Sequence, residues 1–138
     1  MMNRYLIDTS AWICALRKDG DPRVQTRVAD LLKKERVATC AMIKLELLGG
    51  TRSEQEYSRL KARLNALEDH SNESSSWETA FAMAFKLRRS GLTIPSTDIL
   101  IAAFALMSQA ILVHVDSHFD LIASRMDLCV ESFVGAAT

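Results

Sequence analysis

Ile111-Leu112-Val113-His114-Val115 runs apolar but for one histidine, and Ile111, Val113 and Val115 are β-branched. A run of this length and type is a strand buried on both faces, as strands of parallel sheets are. On its N-terminal side lies a strongly apolar helix, roughly Asp98 to Gln109. Pro95 keeps the residue before it extended, and Ser96 or Thr97 is expected to cap that helix. On its C-terminal side Asp116 precedes a short helix from about Ser117 to Arg125, and Leu128–Val130 reads as an edge strand.

The same alternation runs through the rest of the chain. Arg4–Ile7 is a short strand ending at Asp8, followed by a helix over Thr9–Arg17 that Asp19-Gly20-Asp21-Pro22 breaks. Arg23–Glu35 is amphipathic, Arg36–Cys40 is a strand, and Met42–Leu48 is a helix stopped by Gly49-Gly50. Ser53–Leu67 and Trp77–Arg89 are further helices, with a polar loop expected over His70–Ser76. Strands alternating with helices make an α/β fold: a central parallel sheet of four to five strands flanked by helices, in three layers. The 138 residues form one domain, spanning 1–138. Sheets of this kind bind ligands beyond the carboxyl ends of their strands. Asp8 and Asp116 each follow a strand and belong at that edge.

Four carboxylates have apolar flanks: Asp8, Glu46, Asp98 and Asp116. Each has a plain structural reading, as a helix cap, an exposed helix residue or a first-turn acid favoured by the helix dipole. Together they have another. Converging carboxylates without basic partners repel, and a divalent cation removes that cost. Oxygen donors with no histidine or cysteine set favour Mg²⁺ or Mn²⁺ over zinc. Net charge is zero; with these four withdrawn from the 17 acidic side chains, the rest of the surface carries 13 acids against 17 bases, a balance of +4. That is a modest attraction for a polyanion, suited to transient docking of RNA. Arg17, Lys18, Arg23, Arg52, Arg88 and Arg89 are candidate phosphate contacts.

The order and flanks of these acids resemble the PIN-domain nucleases, and specifically the VapC-type toxins of bacterial toxin–antitoxin pairs. The segments that carry the resemblance are Leu6-Ile7-Asp8-Thr9-Ser10, Leu45-Glu46-Leu47-Leu48-Gly49, Thr97-Asp98-Ile99-Leu100-Ile101-Ala102-Ala103 and His114-Val115-Asp116-Ser117-His118-Phe119-Asp120. The resemblance implies a PIN-like fold in which Asp8, Glu46, Asp98 and Asp116 hold one or two Mg²⁺ or Mn²⁺ ions. Thr9, with Ser10 the alternative, corresponds to the hydroxyl that orders the first Asp, and Asp120 to a further acid. His114 is read as structural; His70 and His118 carry no functional weight. The implied activity is endoribonuclease cleavage by metal-activated water, leaving 5′-phosphate and 3′-hydroxyl ends. The implied partners are a cognate antitoxin, an RNA substrate such as tRNA or rRNA, and a second copy of the chain. The stretch Glu68–Ser76 departs from the family, which carries an apolar strand there, and puts one strand in doubt.

Two other readings compete. A catalytically silent interaction protein of the same fold would look similar, though it would not need the intact acidic quartet. An aspartyl phosphatase would carry an acid two residues after its nucleophile, where Ser10 stands. Cys14, Cys40 and Cys129 are odd in number and widely spaced, so they read as reduced thiols. No apolar run approaches the ~18 residues of a membrane span, and the start is too short and interrupted for a secretory signal. A cytoplasmic protein is expected.

Overall fold

The computed structural model describes residues 3–69 and 74–135. Five strands form one parallel sheet: β1 (Arg4–Ile7), β2 (Arg36–Thr39), β3 (Glu68–Asp69), β4 (Ile111–His114) and β5 (Val130–Ser132), in the order β3-β2-β1-β4-β5. Successive side chains of a strand point to opposite faces. Leu6 and Ile7 of β1 and Leu112 and Val113 of β4 are all buried, so both faces of the sheet centre are covered. This is the expected three-layer α/β arrangement, and it explains why those strands read as continuous apolar runs.

Seven helices connect the strands among the described residues: α1 (Thr9–Leu16), α2 (Pro22–Lys34), α3 (Ala41–Gly49), α4 (Glu54–Asn65), α5 (Ser74–Arg89), α6 (Ser96–Met107) and α7 (Ser117–Ala123). In α6 every residue from Ile99 to Ala105 is buried. A helix apolar on all sides must be enclosed, and α6 packs against α3, α5, α7 and β4. α2 shows the opposite pattern, burying only Val24, Val28 and Leu31 along one stripe.

Two glycines answer to geometry. Gly91 has φ 86° and ends α5; its N–H and that of Leu92 bond back to the carbonyls of Arg88 and Leu87, the left-handed termination that favours glycine. Gly20, in the α1–α2 turn, leaves no room for a side chain, because a Cβ there would stand 1.8 Å from the Cys14 carbonyl oxygen.

Several expected boundaries shift. The cap of α6 is Pro95, not Ser96 or Thr97; its extended backbone turns its carbonyl to accept from the N–H groups of Asp98 and Ile99. The strand in doubt is present but only two residues long. Acidic β3 pairs with β2 and is held by ion pairs, Arg36 Nη2 of β2 to Glu68 at 2.7 Å and Lys44 of α3 to Asp69, where an apolar strand would use burial. β5 starts at Val130, two residues later than expected, because Leu112 N–H bonds the Cys129 carbonyl and sets the register. Of the loop expected over His70–Ser76, residues 70–73 lie outside the described residues, and α5 has begun by Ser74.

Candidate metal centre

From β1 the chain builds outward to β2 and β3, then crosses back to β4 on the other side of β1. The winding reverses between β1 and β4. A crevice opens at such a switch point, outside the carboxyl ends of the two strands. Asp8 leaves β1 there, its N–H bonded to the Val113 carbonyl of β4 at 2.9 Å. Asp116 leaves β4 two residues after the strand ends. α6 delivers Asp98 to the same edge in its first turn.

Asp8 is 3% exposed. Its Oδ2 accepts from the Ser10 N–H at 3.0 Å and from Ser10 Oγ at 2.5 Å. Ser10 Oγ in turn accepts from Val115 N–H at 2.9 Å, which ties the exit of β4 to the exit of β1. Burial pushes the Asp8 carboxyl above its ordinary value, the Ser10 bonds pull against that, and the nearby Glu46 carboxylate pushes it further up. Thr9 Oγ1 donates to Glu46 Oε1 at 2.7 Å, fixing an otherwise exposed side chain of α3.

Asp98 and Asp116 meet across His118. Asp98 Oδ2 stands 3.0 Å and Asp116 Oδ1 3.1 Å from His118 Nδ1. Asp116 Oδ1 also accepts the His118 N–H at 2.9 Å, as the N-cap of α7. A donor atom from each of the three lies within 4.8 Å of the others. The Asp98 carboxyl is pushed up to about 6, first by burial, then by the charges of Asp116 and Asp8, with the His118 bond opposing them. Among the described residues none of Asp8, Asp98 and Asp116 pairs with a lysine or arginine. Three crowded carboxylates without a permanent cation, two of them resisting ionisation, are a donor set that a hard divalent ion fits.

The remaining expected residues stand as follows. Glu46 is near enough for its charge to reach Asp8 but is not in the close group around His118. Asp120 is turned to the other side of α7: Oδ2 accepts from Ser132 Oγ at 2.9 Å and Oδ1 lies 3.3 Å from His114 Nε2. The hydroxyl on Asp8 belongs to Ser10, while that of Thr9 serves Glu46. Arg17 and Arg23 are engaged by Asp19 and Asp21. His118, given no weight from the sequence, sits between two of the acids. No local pattern marks it, because its ring reaches Asp98 only through the packing of α6 against α7.

The PIN domain family model matches residues 5–124. Ribonuclease VapC11 of Mycobacterium tuberculosis is 35% identical over 132 residues, covering 93% of this chain and 98% of that protein. Among solved structures, VapBC2 from Rickettsia felis bound to a DNA fragment from its promoter is similar with a TM-score of 0.78 at 25% identity, over 94% of this chain and 98% of that one. VapC20 of Mycobacterium tuberculosis, a sarcin–ricin-loop-cleaving toxin, shares the fold with a TM-score of 0.62 at 19% identity, over 85% of this chain and 93% of that one.

Proposed function

This chain belongs to the PIN domain family and, within it, to the VapC ribonucleases; on that premise we propose that it is an RNA endonuclease, the toxin of a toxin–antitoxin pair, dependent on Mg²⁺ or Mn²⁺. The observation that carries the reading is the meeting of Asp98 and Asp116 at the β1/β4 switch point, beside buried Asp8 and without a basic partner. Asp8, Asp98 and Asp116, with Glu46 from α3, would hold the ion. When bound, a divalent cation lowers the pKa of a water and offsets the charge that builds on phosphorus and on the leaving 3′-oxygen.

The chain's own residues prepare that site. Ser10 orients Asp8 and ties it to the β4 exit. Thr9 holds Glu46 in one orientation. The His118 N–H and ring hold the Asp116 and Asp98 carboxylates together. Such preorganisation lowers the reorganisation needed when charge develops. Cleavage leaves a 5′-phosphate and a 3′-hydroxyl, and the substrate is a structured RNA of the tRNA or rRNA class.

The partners follow from the relatives and the surface. VapBC2 pairs toxin with antitoxin, and an antitoxin is assigned to this chain on that likeness. Trp77, Phe81 and Phe85, spaced by four on α5, are exposed and form an apolar stripe that a second copy would cover. Light scattering at micromolar concentration is expected to give a dimer; a monomer refutes that part. No helix among the described residues is long and apolar enough to cross a membrane, and cytoplasmic action on RNA is the corresponding proposal.

The test of the whole reading is cleavage of end-labelled RNA with Mg²⁺ or Mn²⁺, with chelator, and with Asp98→Asn. Cleavage that needs the ion and is lost in the variant supports it. Cleavage indifferent to chelator overturns the metal reading, and RNA left intact by the wild type with either ion overturns the nuclease reading.

A further inference from the structure

His114 is the last residue of β4, and its side chain is 0% exposed. The ring is polar at both edges. Nδ1 accepts the Asp116 N–H at 3.1 Å, so in the neutral ring the proton is on Nε2. Nε2 faces Asp120 Oδ1 at 3.3 Å without hydrogen-bond alignment. The Phe119 ring packs beside it at 5.2 Å, and the His114 carbonyl accepts Phe133 N–H at 2.8 Å.

The turn from β4 into α7 is thus held at two successive amides. Val115 N–H goes to Ser10 Oγ, and Asp116 N–H goes to the His114 ring. The second bond fixes the backbone from which the Asp116 side chain springs. A rotation of that backbone would carry the carboxylate away from Asp98 and His118. The other edge of the ring meets Asp120, whose second oxygen is bonded to Ser132 of β5. The ring therefore holds the Asp116 amide through Nδ1 and lies with its other edge against Asp120 in the first turn of α7.

We propose that His114 is a positioning residue of the metal centre, its buried ring holding the Asp116 amide through Nδ1 and so aiming the Asp116 carboxylate at Asp98. Asp120 then serves as the acid that faces this ring. The inference rests on the metal reading above.

His114→Phe and His114→Asn separate the role from packing. Phenylalanine keeps the ring and its contact with Phe119 but removes the acceptor. Asparagine loses volume but offers a carboxamide oxygen near the Nδ1 position. If packing alone matters, Phe is the milder change; if the acceptor matters, Asn is. Mn²⁺ affinity from the free-ion resonance signal is expected to fall about tenfold or more in Phe and to stay nearer wild type in Asn, since partners that orient metal ligands carry roughly 10–100-fold in affinity. RNA cleavage should lose kcat in Phe with KM little changed. In metal-free protein the Asp116 amide should exchange faster in Phe than in wild type.

Wild-type Mn²⁺ affinity in Phe, or a larger loss in Asn than in Phe, overturns the inference. If Phe does not fold, Asn alone decides: affinity within about threefold of wild type supports the inference, and a loss of tenfold or more in folded protein overturns it. A wild type that binds no Mn²⁺ brings down the metal reading itself, which this titration shows before any variant is compared.

Discussion

Asp98 Oδ2 and His118 Nδ1 stand 3.0 Å apart although 20 residues separate them, one at the start of α6 and the other in the first turn of α7. The contact places Asp98 among Asp116, Asp8 and a histidine; burial first, then the charges of Asp116 and Asp8, raise its carboxyl to about 6 against the opposing His118 bond. Between the ordinary value of 3.8 and about 6 the folded protein binds a proton that the unfolded chain has released. Metal-free stability from this group is therefore fully present below about pH 4 and lost as pH rises to about 6. Asp98→Asn should remove that slope: in chelator the variant should match the wild type near pH 4 and exceed it near pH 7. Its RNA cleavage should fall beyond the roughly 100-fold that loss of a supporting group costs. Denaturation at the two pH values with an activity assay checks both, and wild-type turnover in folded variant excludes Asp98 from the metal site.

Ser10 rather than Thr9 is the hydroxyl whose loss should matter most. Ser10→Ala leaves the Val115 N–H without its acceptor and removes the largest influence holding the Asp8 carboxyl down. The expected cost is about 1–3 kcal/mol of stability, that of a part-buried unsatisfied donor, together with weaker Mn²⁺ binding as Asp8 resists ionisation further. Thr9→Val frees only the exposed Glu46 and should cost less on both counts. Urea denaturation and metal titration of the two variants rank them; a larger effect from Thr9→Val contradicts the assignment.

The difference between these hydroxyls shows where sequence reading ends. The strands, the helices and the place of Asp8 and Asp116 at the sheet edge were legible because periodicity and position after a strand are local properties, whereas Asp98 joined them only through the family resemblance. Which hydroxyl turns inward depends on the first-turn geometry of α1, and adjacent residues there point in different directions. His118 was illegible for a related reason: its ring lies over the cluster only because α6 begins beside α7. β3 escaped the pattern because ion pairs from Arg36 and Lys44, not apolar side chains, hold Glu68 and Asp69 in the sheet. Pro95 took the cap of α6 from Ser96 and Thr97 because its own backbone already supplies the extended conformation a cap requires.

Away from the site, Gln109 is the one non-glycine residue with positive φ among the described residues, at 54°. It ends α6 as Gly91 ends α5, with Gln109 N–H on the Leu106 carbonyl and Ala110 N–H on that of Ala105. A side chain in this conformation costs about 1–2 kcal/mol that glycine avoids, and part of the gain is returned through the freer unfolded chain. Gln109→Gly should therefore raise stability by about 0.5–1 kcal/mol and leave RNA cleavage unchanged. A lowered denaturation midpoint would contradict it.

Asp8 offers the sharpest separation of a metal ligand from a helix cap, because it occupies both positions. As the N-cap of α1 it accepts the Ser10 N–H. Asparagine caps as well as aspartate, so Asp8→Asn should preserve α1. As a buried carboxylate beside Glu46, Asp8 ionises against burial and like charge, and a neutral amide is relieved of both. In chelator at neutral pH the variant should melt above the wild type, by an increment that disappears below the ordinary carboxyl range, where the wild-type carboxyl is protonated in both states. Adding Mn²⁺ should reverse the order. At a hundredfold excess over the dissociation constant the wild type gains about 2.7 kcal/mol, while the variant, short of one ligand, gains less. Thermal melts of both proteins, with chelator and with Mn²⁺, give four numbers that a cap alone cannot reproduce: a cap predicts equal or lower stability for the variant and no response to the ion in either. A wild type that ignores Mn²⁺, together with a variant that melts lower in chelator, would leave Asp8 as a cap and remove the site from which cleavage is argued.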